Sequence, residues 1–295
     1  MAEHTLTLMA VHAHPDDEAT GTGGVLARYA AEGIRTVLVT CTDGRCGDAP
    51  GGIKPGEPGP DVEKVVALRR AELEASCEIL NISDLEMLGY GDSGMDGWPQ
   101  NDAPGSFWST PVEVAAERLA ELIRTYRPDV IVTYDEYGFY GHPDHIQAHR
   151  ITMAAMELEP SAAKLYWTTM PHSTMQKFGV LMAELAAENA DSASTDADGD
   201  TAPSDSAAGG DVPSEEDWAK IGLPDDKIFT WVDTRAFGRQ KFDALSAHAS
   251  QSDNVVFLNL GPERFTDLMG VETFTRVKDS TNSPQDETDL FTGLR

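Results

Sequence analysis

Apolar, β-branched runs alternate with amphipathic stretches through the first half of the chain, and this alternation constrains the fold more than any other feature. Thr5–His12 (TLTLMAVH) has the character of a strand, and residues 24–32 that of a helix. Ile34–Thr42 (IRTVLVTCT) is the kind of run buried on both faces of a parallel sheet. Asp61–Leu80 carries an apolar stripe of helical period, with Asp61 placed to cap it. A short strand at Leu85–Leu88 leads into a glycine-rich loop at 89–97, and Thr110–Tyr126 reads as a helix with Thr110 as N-cap and Pro111 first. Asp129–Tyr134 (DVIVTY) is again a buried strand. Strands separated by helices call for right-handed crossovers, so the predicted class is α/β: a Rossmann-like, doubly wound, mostly parallel sheet with helices on both faces.

That topology says where chemistry belongs. In such sheets ligands sit beyond the carboxyl ends of the strands, near the point where strand order reverses. The first strand and the strand at 129–134 are neighbours there, which directs attention to the residues just after 12 and 134. The first position carries His12-Ala13-His14-Pro15-Asp16-Asp17-Glu18, and the second runs from Tyr134 to His145 and closes on His142-Pro143-Asp144-His145. Both loops combine histidine and aspartate around a proline. His14 and Asp17 are three apart, as are His142 and His145, a spacing that brings two side chains together in one turn. Three nitrogen or oxygen ligands with a fourth position open to water describe a catalytic Zn2+ site, and two histidines with a carboxylate suit Fe2+ as well.

The composition narrows the partners. The 295 residues include 22 Lys and Arg against 50 Asp and Glu, a net charge of −28. Such a surface argues against nucleic acid and anionic membrane as partners, names no activity by itself and leaves a homo-oligomer open. Residues 191–217 hold 9 of the acids, no Lys or Arg, and Val212 as the one aliphatic residue beyond alanine. They are expected to form a flexible, disordered acidic insertion between a catalytic core at 1–190 and a completion of the same domain at 218–295. Ile228–Val232, residues 234–249 and Glu272–Val277 read as strand, helix and strand in that last part. No run approaches a membrane span, the first residues do not read as a secretion signal, and Cys41, Cys46 and Cys77 make no CxxC pair. A cytoplasmic protein is expected.

Ala13-His14-Pro15-Asp16-Asp17-Glu18 paired with His142-Pro143-Asp144-His145 resembles the PIG-L-type (LmbE-like) zinc de-N-acetylases, a family that includes actinobacterial deacetylases and amidases of mycothiol metabolism. The resemblance covers about residues 5–160, with a weaker echo at Lys241–Gln251 (KFDALSAHASQ). It implies that His14, Asp17 and His145 bind zinc and that Asp16 is the general base. His142 would stabilise the oxyanion or protonate the leaving amine, with Asp144 holding its imidazole. Tyr140 would help polarise the substrate carbonyl, and Arg69 and Asp92 would hold the sugar. The implied reaction is removal of N-acetyl from a glucosamine-containing small molecule. An amidase of a mycothiol-like S-conjugate is the alternative enzyme, and a non-catalytic metal- or sugar-binding protein the alternative of another class.

Some features depart from that pattern. Arg45-Cys46-Gly47 follows Asp43-Gly44 where mycothiol-type members more often carry an acid, and Ala19-Thr20 follow Glu18 without a nearby lysine. These leave the reaction intact and bear on the exact substrate. Gly21-Thr22-Gly23-Gly24 lacks the last glycine of a dinucleotide fingerprint and reads instead as small residues packing a helix on the sheet. His12 reads as a structural hydrogen-bonding residue, and His248 in the C-terminal echo as one able to approach the pocket.

Overall fold

The computed structural model describes residues 5–49, 53–55, 61–195 and 221–295. The chain runs β1 (Thr7–His12), α1 (Asp17–Gly21), α2 (Gly23–Ala31), β2 (Arg35–Thr42), α3 (Val62–Leu80), β3 (Asp84–Tyr90), α4 (Val112–Tyr126) and β4 (Val130–Thr133). It continues through the short turn α5 (Gly138–Gly141), α6 (Pro143–Leu158), β5 (Lys164–Thr169) and α7 (His172–Thr195). The last part holds β6 (Thr230–Asp233), α8 (Gly238–Ala247), α9 (Val255–Leu258), α10 (Gly261–Met269) and β7 (Val271–Asp279). The strands form one sheet in the order β3-β2-β1-β4-β5-β7-β6. β1 to β5 are parallel, and β7 lies antiparallel between β5 and β6.

Alternation along the strands divides the core in two. Met9, Val11, Val37 and Val39 pack with Leu119 and Ile123 of α4 and Ile151 of α6. Leu8, Ala10 and Leu38 pack on the opposite face with Val25, Leu26 and Tyr29 of α2 and Leu73 of α3. Both faces are covered, which is why these strands are apolar throughout. The doubly wound class expected from the sequence is the one found. β5, α10 and the length of β7 were not anticipated, and α4 begins at Val112 with Pro111 at its cap, while Thr110 Oγ1 donates to the Ser106 carbonyl. Helix α7 continues to Thr195, five residues into the stretch expected to be disordered; 196–217 lies outside the described residues.

Two buried acids tie the C-terminal part to the rest. Glu272 of β7 accepts from the backbone N of Gly24 (2.7 Å) and Val25 (2.8 Å), capping α2, and from Lys241 Nζ (2.7 Å). A Cβ on Gly24 would stand 2.1 Å from Thr234 Oγ1, so the glycines after β1 serve packing. Glu287 accepts from Lys164 Nζ (2.5 Å) and Tyr166 Oη (2.8 Å), and Arg276 Nη1 lies 2.9 Å away. Among the described residues no helix is long and apolar enough to cross a membrane.

Glu287 and Lys164 side chains are fully buried, so removing one strands the other's charge. Glu287→Ala is expected to destabilise the protein by about 3–5 kcal/mol, read as a lowered denaturation midpoint. An unchanged midpoint would contradict this.

Candidate active site

The parallel pairing of β1 with β4, Leu8 opposite Val130 through Ala10 opposite Val132, ends the two strands side by side. Tyr134 staples the loops that follow. Its hydroxyl accepts from Ala13 N (2.9 Å) and lies 3.1 Å from His12 Nδ1, while His12 Nε2 meets Thr22 Oγ1 at 2.8 Å. His12 is fully buried with both ring nitrogens committed, the structural role its position suggested.

Immediately beyond, the chain turns so tightly that His14 N donates to Asp17 Oδ2 (2.7 Å). This turn brings Asp17 Oδ2 to 3.4 Å from His14 Nδ1. From the first turn of α6, His145 places Nε2 3.3 Å from His14 Nδ1 and 3.5 Å from Asp17 Oδ1. Its ring is stacked on Tyr134, with centroids 4.2 Å apart. The three residues expected to hold the metal are thus brought together from loops 128 residues apart, and their ligand atoms converge.

Two further groupings surround His14. Ligand atoms of His14, His142 and His145 lie within 4.8 Å of one another, as do those of His14, Asp92 and Asp144. His14 Nε2 is 3.2 Å from Asp144 Oδ2 and 3.6 Å from Asp92 Oδ1. The role expected for Asp144 needs correction. Its carboxylate meets His14 and the backbone N of Ser93 (2.8 Å); what reaches His142 is its backbone N–H, donated to His142 Nδ1 (3.1 Å). His142 is the N-cap of α6, and that main-chain bond fixes its imidazole without a carboxylate.

Asp16, Asp17, Asp92 and Asp144 crowd this pocket with the Arg69 guanidinium as the nearby permanent cation. Burial pushes the His14 imidazole down, but Asp92, Asp144 and Asp17 outweigh it and hold it well above its ordinary value. Burial, aided by the neighbouring His14, pushes His145 down to about 4. Burial works against ionised Asp17 as well, yet His145 and His14 hold its carboxyl well below the usual range. A neutral His14 that donates from Nε2 to Asp144 would turn its Nδ1 lone pair to the His145 nitrogen and the Asp17 carboxylate, the form a bound cation would select. An excess of buried negative charge and converging lone pairs fit a divalent cation, and two imidazoles with one carboxylate are the donor chemistry of Zn2+ or Fe2+.

Asp16 stands apart from this cluster. It occupies positive φ (114°), a strained backbone for a residue with a side chain. Its carboxyl is pushed up to about 6, chiefly by burial, with Arg69 opposing and Asp17 reinforcing the shift. Arg69 Nη2 is 3.2 Å from Asp16 Oδ2 and also bonds the Pro15 carbonyl, while Nη1 donates to Gly44 O (3.0 Å). Arg69, expected to face a sugar, is buried on α3 with its two terminal nitrogens on these loops. Glu18, fully buried, accepts from Asp16 N (2.9 Å) and Ser76 Oγ (2.5 Å) and meets His248 Nε2 at 2.7 Å. Asn254 Nδ2 reaches Asp16 Oδ2 at 3.4 Å. Glu18 and Asn254 escaped the sequence reading because their signal is a long-range contact; the echo around His248 was the one hint of it.

Asp92 is buried at the same pocket, its Oδ1 accepting from Gly94 N (2.8 Å). Tyr140 is 41% exposed and sets its ring edge-on to His145, centroids 5.0 Å apart. It is carried by α5, where Gly138, Phe139 and Gly141 all have positive φ, so a strained turn presents it. Cys46, half-buried, donates Sγ–H to the Asp92 carbonyl (3.4 Å), and burial with Asp92 beside it pushes the thiol up to about 12. A protonated thiol is a poor target for oxidation.

Residues 9–156 match the family described as GlcNAc-PI de-N-acetylase (PIG-L). A protein of Thermomonospora curvata named 1D-myo-inositol 2-acetamido-2-deoxy-alpha-D-glucopyranoside deacetylase is 39% identical over 100% of this chain and 99% of its own length. One of the same name from Salinispora arenicola is 39% identical over 97% of this chain and 91% of its length. Among solved structures, N,N'-diacetylchitobiose deacetylase from Pyrococcus horikoshii shares the fold with a TM-score of 0.58 at 16% identity, over 92% of this chain and 84% of that one. With the motif pair at the strand ends and relatives matched from end to end, this chain belongs to the PIG-L (GlcNAc-PI de-N-acetylase) family.

Proposed function

We propose that this protein is a metal-dependent hydrolase that removes the acetyl group from the 2-acetamido sugar of an N-acetylglucosaminyl inositol, releasing acetate and a free amine. De-N-acetylation of a glucosamine-containing small molecule follows from its family and its full-length relatives. The choice of an inositol aglycone rests on the substrate named for those relatives, matched here along the whole chain. The observation that carries the reading is the convergence of His14, Asp17 and His145 with Asp16 beside them. The three free cysteines support a reducing cytoplasm as its location.

His14 Nδ1, Asp17 and His145 Nε2 would hold the cation. When bound, Zn2+ or Fe2+ supplies Lewis acidity that strengthens water as a nucleophile and an acyl carbonyl as an electrophile. Asp16, kept off the ligand set, takes the proton of the attacking water and returns it to the leaving nitrogen as the C–N bond breaks. Its raised pKa makes it a better base than an ordinary aspartate, and Arg69 and Asn254, both on Oδ2, leave Oδ1 to do that work. His142 receives a main-chain N–H at Nδ1, so its Nε2 carries the proton and donates to the oxyanion. Tyr140 Oη offers a second donor from the rim. Asp92 accepts a sugar hydroxyl.

Asp16→Asn is expected to lower kcat about 10²- to 10⁴-fold with metal content retained, measured by amine release alongside elemental analysis. Loss of metal together with activity would overturn the role of Asp16. Removal of the donor in His142→Ala is expected to lower kcat about 10²- to 10³-fold.

The pH profile follows in sign. Asp16 works unprotonated, so kcat/KM carries an acidic limb at or below about pH 6, with activity lost as pH falls through it. A bound cation moves that limb lower, never higher. A limb above pH 7 would contradict the assignment.

Substrate choice is tested by release of the free glucosamine amine from N-acetylglucosaminyl inositol, N-acetylglucosamine and a mycothiol-type S-conjugate, with metal-stripped and Zn2+-reconstituted protein. Metal-dependent release that is fastest on the inositol compound is expected. Turnover of the S-conjugate alone would make the protein an amidase.

A further inference from the structure

His14 uses its two ring nitrogens toward different groups. Nδ1 faces Asp17 and His145, and Nε2 faces Asp144 Oδ2 at 3.2 Å with Asp92 Oδ1 at 3.6 Å. Asp144 is held for this contact. It is fully buried, its Oδ2 is shared with the backbone N of Ser93, and its own backbone N is fixed by the ring of His142. Its Oδ1 is buried without a hydrogen-bond partner. A neutral imidazole has one lone pair and one N–H, so whatever accepts at Nε2 decides what Nδ1 can do.

We propose that the Asp144 carboxylate is a positioning residue for His14 rather than for His142. By accepting a hydrogen bond from Nε2–H it selects the tautomer whose Nδ1 lone pair points to Asp17 and His145, and it makes that nitrogen more basic. Asp144 therefore sets metal affinity. The same contact argues against the His14–Asp92–Asp144 grouping as a second cation site, because using both nitrogens of His14 as ligands would require an imidazolate. Asp92, at the longer distance, is the lesser partner of the same N–H. The inference rests on His14, Asp17 and His145 being the metal ligands.

The test compares Zn2+ affinity, by competition with a chromophoric chelator, in wild type, Asp144→Ala and Asp144→Asn. Asp144→Ala is expected to weaken binding about 10- to 100-fold, with Asp144→Asn, which keeps an acceptor oxygen but no charge, lying between. Added Zn2+ restores most of the rate lost at limiting metal. Unchanged affinity with a lowered kcat at saturating Zn2+ would return Asp144 to His142 and overturn the proposal. Long-range 1H–15N correlation of the Zn2+-loaded wild type needs no variant: the proposal requires a proton on His14 Nε2, and a proton on Nδ1 contradicts it. Wild type that binds no metal would overturn the ligand reading itself, whereas metal-dependent turnover with unchanged affinity in Asp144→Ala would overturn only the role of Asp144.

Discussion

The main-chain pairing of β1 with β4 is the interaction on which the rest of the site depends. Strand order reverses there, because β2 and β3 are laid outward on one side of β1 and the chain returns to place β4 on the other. The two loops that leave these strands share one crevice, and Tyr134 joins them from below through Ala13 and His12. His14 and Asp17 from one loop then meet His145 from the other with no need for flexible segments. A one-residue slip of β1 against β4 would send the core residues of β1 to the wrong face and carry His14 away from His145.

The pocket concentrates negative charge in the interior, which is sustained only by compensation. Asp16 is met by Arg69, Asp17 by two histidines, and Asp144 by His14 and a backbone N–H. A cation among His14, Asp17 and His145 completes the balance. The backbone around it is strained where function is concentrated, at Asp16 and at Phe139 beside Tyr140. The strain at Asp16 is held in place by Glu18 beside it, itself met by His248, and by Asn254 from far along the chain. The C-terminal part is therefore tied into the site as well as into the sheet.

Much of this was legible in the sequence, for physical reasons. The β-branched runs of β1, β2 and β4 have no solvated face, so their periodicity identified both the strands and their burial, and topology then pointed to the loops after 12 and 134. The three proposed ligands lie on those loops at turn spacing, and the structure brings them together. Partnership was harder to read. Asp144 is adjacent in sequence to the residues flanking His142, yet the start of α6 gives its backbone to His142 and its side chain to His14. Arg69 sits in the buried stripe of α3, where its terminal nitrogens meet protein acceptors. Glu272 and Glu287 act on groups more than a hundred residues away, and no local pattern announces such contacts.

The most direct measurement of the central claim is anomalous diffraction from crystals of the protein loaded with Zn2+. A single strong peak bounded by His14 Nδ1, Asp17 and His145 Nε2, with Asp144 still hydrogen-bonded to His14 Nε2, is the expected result. A peak between His14 Nε2, Asp92 and Asp144 would contradict the ligand assignment and, with it, the separation of Asp16 as base.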